Sequence, residues 1–169
     1  TDGRPAPTGL AAHGNINRDE ASGLGDDAGR AVERRGPSVS KFDPAKVAPV
    51  ANYNGFVING IGPEPVFGQV ACKQGRTTGN SCGVTWGLGQ DPGTIVMQVC
   101  GRPGDSGGPV TVDSLLVGMI HGAFSDSLPT CIIKYIPLHT PAVVVSFNAV
   151  LADVTAKHRP GVGFVPVPA

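Results

Sequence analysis

The chain has 169 residues, of which 25 are Gly and 16 Pro, 40% are hydrophobic and 15% charged, with thirteen basic and thirteen acidic side chains that sum to zero net charge. These values exclude collagen-like and highly charged disordered classes, and a neutral sum implies neither nucleic acid nor an anionic membrane as partner. The length suits one domain or two small ones with a core that needs no metal, and no apolar run approaches the roughly 18 residues that span a bilayer.

Charge and apolar residues are unevenly placed. Residues 1–46 carry 14 of the 26 charged side chains, seven of each sign, but only six bulky apolar ones: Leu10, Ile16, Leu24, Val32, Val39 and Phe42. Such a segment buries little surface against its ordering entropy and reads as a tail or a loosely held layer. It opens at Thr1 in a polar Gly/Pro stretch without a leader pattern, as expected of a mature or trimmed product. The core is expected after Val47, since residues 47–155 hold 42 bulky apolar residues.

That core reads as strands. Short apolar, β-branched runs recur at Phe56 to Ile58, Val66 to Ala71, Cys82 to Leu88, Thr94 to Val99, Pro109 to Val112, Leu115 to Ile120 and Cys131 to Ile136. Turn signals separate them at hairpin intervals: Asn59-Gly60, Pro63, Asp91-Pro92-Gly93 and Asp113-Ser114. The pattern predicts an antiparallel sandwich or barrel. One helix closes the series, with Thr140 as N-cap, Pro141 as first helical residue, and Val143, Val144, Phe147, Val150, Leu151 and Val154 on one face. It is expected to end before Pro160-Gly161. Trp86, the sole Trp, is expected in packing, and His139 and His158 as surface or capping histidines.

Four cysteines, Cys72, Cys82, Cys100 and Cys131, allow three pairings. No C-x-x-C pair is present, which argues against zinc or thioredoxin-like chemistry, and no metal or cofactor is expected. Nearest-neighbour pairing would staple one hairpin and one longer loop. Two disulfides imply an oxidising compartment, hence a secreted protein.

The sharpest signal is Gly104-Asp105-Ser106-Gly107-Gly108-Pro109. A serine attacks a carbonyl only when a base takes its proton and donors stabilise the oxyanion. A Gly-rich turn around Ser106 can aim the backbone N–H groups of Gly104 and Ser106 at one point, an approach that side chains would block. The stretch strongly resembles the active-serine motif of the chymotrypsin-like serine proteases. A second block, from Cys72-Lys73-Gln74-Gly75 through Arg76-Thr77-Thr78-Gly79 to Asn80-Ser81-Cys82-Gly83, resembles the disulfide hairpin of the bacterial streptogrisin and α-lytic protease group, and Cys100 matches that group too. The resemblance covers about residues 55 to 139.

It implies an all-β, chymotrypsin-like double barrel of antiparallel strands with a C-terminal helix. Residues 1–46 would be a remnant of a reduced or incomplete first barrel, 47–139 the second barrel, and 140–169 the helix and a Gly/Pro tail. It implies a secreted serine endopeptidase, expected as a monomer, acting on peptide or protein substrates through an acyl-enzyme. Ser106 would be the nucleophile, Gly104 and Ser106 the oxyanion hole, and Asp105 a buried structural carboxylate partnered by Lys73. In the family's order of His, Asp, Ser, the base falls on His13, the only histidine upstream of Ser106, and the acid on Asp43 in Asp43-Pro44-Ala45-Lys46-Val47. Asp26 and Asp27 fit less well. Cys100, Ile120, His121 and Ala123 align with the specificity pocket, where Cys100 in place of a carboxylate and the Ala123 methyl imply small or apolar substrate side chains. His121 stands where the family usually has serine; its imidazole is expected either to intrude on the acid or to sit as a core histidine.

Two other readings compete. One keeps the fold without turnover, as a protease-like binding or structural module or a fragment lacking a complete first barrel. The other takes Gly104 to Gly108 as the elbow of an α/β-hydrolase, with Asp126 or Asp153 and His139 or His158 following. An elbow needs a strand before the serine and a helix after it, whereas Pro103-Gly104 precede Ser106 and β-rich sequence follows.

Overall fold

The structure is a computed structural model that describes residues 50–166, together with 10–11, 40–41 and 46. The expected residues His13 and Asp43 lie outside the described residues. Two short strands upstream, β1 (Leu10–Ala11) and β2 (Ser40–Lys41), pair antiparallel. A minimal hairpin follows, β3 (Asn52–Tyr53) and β4 (Phe56–Val57). Its turn residues Asn54 and Gly55 both have positive φ, 51° and 81°, the backbone that matches strand twist in two-residue hairpins.

Six strands then form a closed antiparallel barrel: β6 (Val70–Gly75), β7 (Gly79–Leu88), β8 (Thr94–Met97), β9 (Pro109–Val112), β10 (Leu115–Ala123) and β11 (Ala142–Ser146). Their spatial order is β11-β8-β7-β6-β9-β10, and pairing of β10 with β11 closes the ring. The short β5 (Gly60–Ile61) adds parallel to β10. Closure removes the unpaired edges that an open sheet would present. Ala71, Ile95, Met97, Val99, Val110, Val112, Val117, Ile120, Ala142 and Val144 fill the interior. The predicted Asp113-Ser114 turn joins β9 to β10 with φ of 51° and 62°.

Outside the barrel, α1 (Phe147–Ala156) buries Phe147, Val150 and Val154 on Leu116 and Met119 of β10. Ile58, Ile61 and Phe164 complete this second apolar layer, with the Phe147 and Phe164 rings edge-on at 5.8 Å. Ser146 caps the helix: its Oγ accepts from Ala149 N–H at 3.2 Å and donates to the Glu64 carboxylate.

Three sequence expectations shift. The helix starts at Phe147, not at Pro141, because residues 142–146 extend as β11 between β8 and β10. Three consecutive valines, stiff at χ1, favour that backbone, and Ala142, Val144 and Ser146 alternate inward. The run Cys131 to Ile136 forms no strand: it lies in the connection between β10 and β11, which pair directly with each other, and Ile132, Ile133, Tyr135 and Ile136 remain exposed. The run from Val66 becomes a strand only at Val70, after Pro65 and Gly68. Trp86 is half-exposed, 6.1 Å from the Phe67 ring, with Nε1–H donating to Gln98.

Candidate active site

Both disulfides of the nearest-neighbour scheme form. Cys72–Cys82 bridges directly opposed residues of β6 and β7, and Cys100–Cys131 anchors the loop before Ser106 to the segment after β10. The turn around Ser106 is held by three backbone hydrogen bonds. Asp105 N–H donates to Arg102 O at 2.9 Å, Gly107 N–H to Ile120 O at 2.7 Å and Gly108 N–H to Asp105 O at 2.9 Å. Within 104–108, and among the described residues, the N–H groups of Gly104 and Ser106 have no backbone acceptor. Gly104 and Gly107 have φ of 97° and 81°, a backbone that favours glycine. Ser106 itself is exposed.

Beneath it lies a buried polar knot. The side chains of Lys73 and Asp105 are wholly inaccessible, with Lys73 Nζ 3.2 Å from Asp105 Oδ2. Asp105 Oδ1 accepts from the N–H groups of Thr77 at 2.7 Å and Thr78 at 3.0 Å. Its Oδ2 accepts from Thr78 Oγ1 at 2.6 Å and Arg102 N–H at 3.0 Å. Burial pushes the Asp105 carboxyl up, but the bonds from Thr78, Thr77 and Arg102 outweigh it and hold the group below its usual range. Burial likewise dominates at Lys73, lowering its ammonium pKa despite the opposing attraction of Asp105. Thr78 Oγ1 also contacts Lys73 Nζ and lies 3.2 Å from Cys100 O, so one hydroxyl links both charges to the serine loop. Gly75 makes room for the pair: a Cβ there would stand 2.3 Å from Asp105 Oδ1.

Of the residues expected to line the specificity pocket, Cys100 and Ile120 are buried, while His121 and Ala123 are exposed. His121 is therefore not a core histidine. It is an extra residue on β10: against β11 the register passes from Ile120 opposite Val144 to Gly122 opposite Val143. His139 corrects the expectation of a surface or capping role, for it is buried, with Nδ1 2.9 Å from Thr140 O and its own carbonyl accepting from Gln98. His158 is exposed beyond α1. No helix follows Ser106; the chain enters β9 at Pro109, which removes the α/β-hydrolase elbow. Sequence reading missed Thr77, Thr78 and Gly75, although they stand in the quoted hairpin block; nothing local says that a hairpin tip will meet a carboxylate thirty residues on.

No protein-family model matches the sequence, and no curated protein matches it. Solved structures do match. Cellulomonas bogoriensis chymotrypsin aligns at 24% identity and TM-score 0.54 over 71% of this chain and 67% of its own. Thermobifida fusca protease A aligns at 23% and 0.54 over 70% and 65%. A Nocardiopsis protease aligns at 22% and 0.47 over 62% and 56%. The first two matches give the barrel the fold of the bacterial chymotrypsin-like serine proteases. The chain spans between 56% and 67% of the length of these three.

Proposed function

We propose that this chain is a secreted serine endopeptidase that cleaves peptide bonds through an acyl-enzyme on Ser106. The observation that carries the reading is the turn itself: an exposed serine between two positive-φ glycines, with the Gly104 and Ser106 N–H groups left without a backbone acceptor among the described residues. Donors so fixed stabilise an oxyanion without reorganising. In this reading Ser106 Oγ attacks the scissile carbonyl as a base takes its proton, and the carbonyl electron pair moves to an oxygen facing those two donors. The resemblance gives the base to His13 and the acid behind it to Asp43. Asp105, held by Lys73, Thr77 and Thr78, keeps the turn in shape without touching substrate. Cys100 and Ala123 favour small or apolar substrate side chains, and the two disulfides favour an oxidising, extracellular setting.

An organophosphorus serine reagent tests the reading. Stoichiometric labelling at Ser106, lost in Ser106→Ala, is the expected result. Folded protein that takes up no label would leave a protease-like fold without turnover.

A further inference from the structure

The triad assigned by resemblance leaves a second imidazole at the nucleophile without a role. Ile120 faces two residues of the serine loop at once: it accepts from Gly107 N–H at 2.7 Å and donates to Gly108 O at 2.9 Å. This continues the β9–β10 ladder, in which Met119 is opposite Pro109. Two residues against one is a bulge, and bulges beside active sites re-aim side chains. Carried one residue further, past the start of β9 at Pro109, the same antiparallel alignment sets His121 opposite Ser106. Directly opposed side chains have Cβ atoms roughly 4.5–5.5 Å apart, well within the reach of an imidazole toward a hydroxyl. Ile120 points into the core while His121 and Ser106 are both exposed. The second irregularity, against β11, makes His121 the unpaired residue there. The two side chains are not hydrogen-bonded in the structure; bonds of this kind are often loose until substrate is present.

We propose that His121 is a proton acceptor for Ser106, additional to any base supplied from the first 49 residues. The inference rests on Ser106 being the nucleophile. As Oγ bonds to the carbonyl carbon, its proton passes to a ring nitrogen of His121 and the carbonyl electron pair moves to the oxyanion. When the C–N bond breaks, the imidazolium returns that proton to the leaving amine.

A small apolar peptide chloromethyl ketone tests the pairing in the full chain, because an imidazole next to an activated serine displaces its chloride and forms a C–N bond that peptide mapping locates. The expected result is alkylation of His121 that disappears in Ser106→Ala. The organophosphorus labelling of Ser106 should also fall by about tenfold or more in both His121→Ala and His121→Gln, with folding checked by circular dichroism. Alkylation confined to His13, or labelling of either folded variant within about twofold of the parent, overturns the proposal. If Ser106 takes the organophosphorus label but no histidine is alkylated, the nucleophile stands and the pairing fails. If neither reagent reacts with folded protein, both readings fall.

Discussion

Two regions of this molecule are held together by opposite means. Under the serine loop, a lysine, an aspartate and two threonines are tied by directional bonds with no water-accessible surface on either charge. Under helix α1, five buried apolar residues and their half-buried neighbours are held by contact alone. The difference is one of tolerance. An apolar layer can repack around a changed methyl group, whereas a buried charge that loses its partner has no cheap alternative. The first region is the one that shapes the turn carrying Ser106.

The contrast can be broken at either end. Asp105→Ala strands the Lys73 ammonium and should cost about 3–5 kcal/mol, read by urea unfolding, with Ser106 labelling lost even where the protein remains folded. Thr78→Val keeps shape but removes the hydroxyl shared by Lys73, Asp105 and Cys100 O, and should cost roughly 1–3 kcal/mol; labelling should slow more than that loss of stability explains. Leu116→Met, a volume-conserving swap in the apolar layer, should cost less than about 1.5 kcal/mol and leave the labelling rate unchanged. Ser146→Ala removes the cap of α1 for about 1 kcal/mol, again without effect on labelling. A fall in labelling from either of these last two variants would remove the distinction.

Acid sharpens the same comparison. The folded Asp105 carboxyl lies below its ordinary value, so its ionisation contributes stability that is full above that ordinary value and is lost as pH falls through the folded one. The parent protein should show this acid limb in its unfolding curves, and Asp105→Asn should lack it.

Much of the barrel was legible because its cause is local. Pro109 to Val112 and the Asp113-Ser114 turn appear where alternation and turn chemistry put them, and Gly104 and Gly107 take the conformations that a serine turn demands. The failures share a cause that is not local. Valines 143–145 suit a helix face or a strand equally well by pattern, and the gap between β8 and β10 decided for strand. Cys131 to Ile136 has the composition of a strand but no partner, since β10 and β11 on either side of it in the chain pair directly with each other. His139 carries no mark in sequence that would bury it beside Gln98.

What the sequence determined alone is therefore the set of groups available at Ser106: a serine in a glycine turn, a carboxylate beside it and four cysteines able to form two bridges. Such features depend on residues adjacent in the chain. What only the tertiary structure decided is which distant residues meet them. Lys73 and Thr78 reach Asp105 because β6 pairs with β9, and Ile120 meets both Gly107 and Gly108 because the serine loop bulges against β10. Those meetings arise from strand register, and a shift of one residue would turn each of these side chains to the other face.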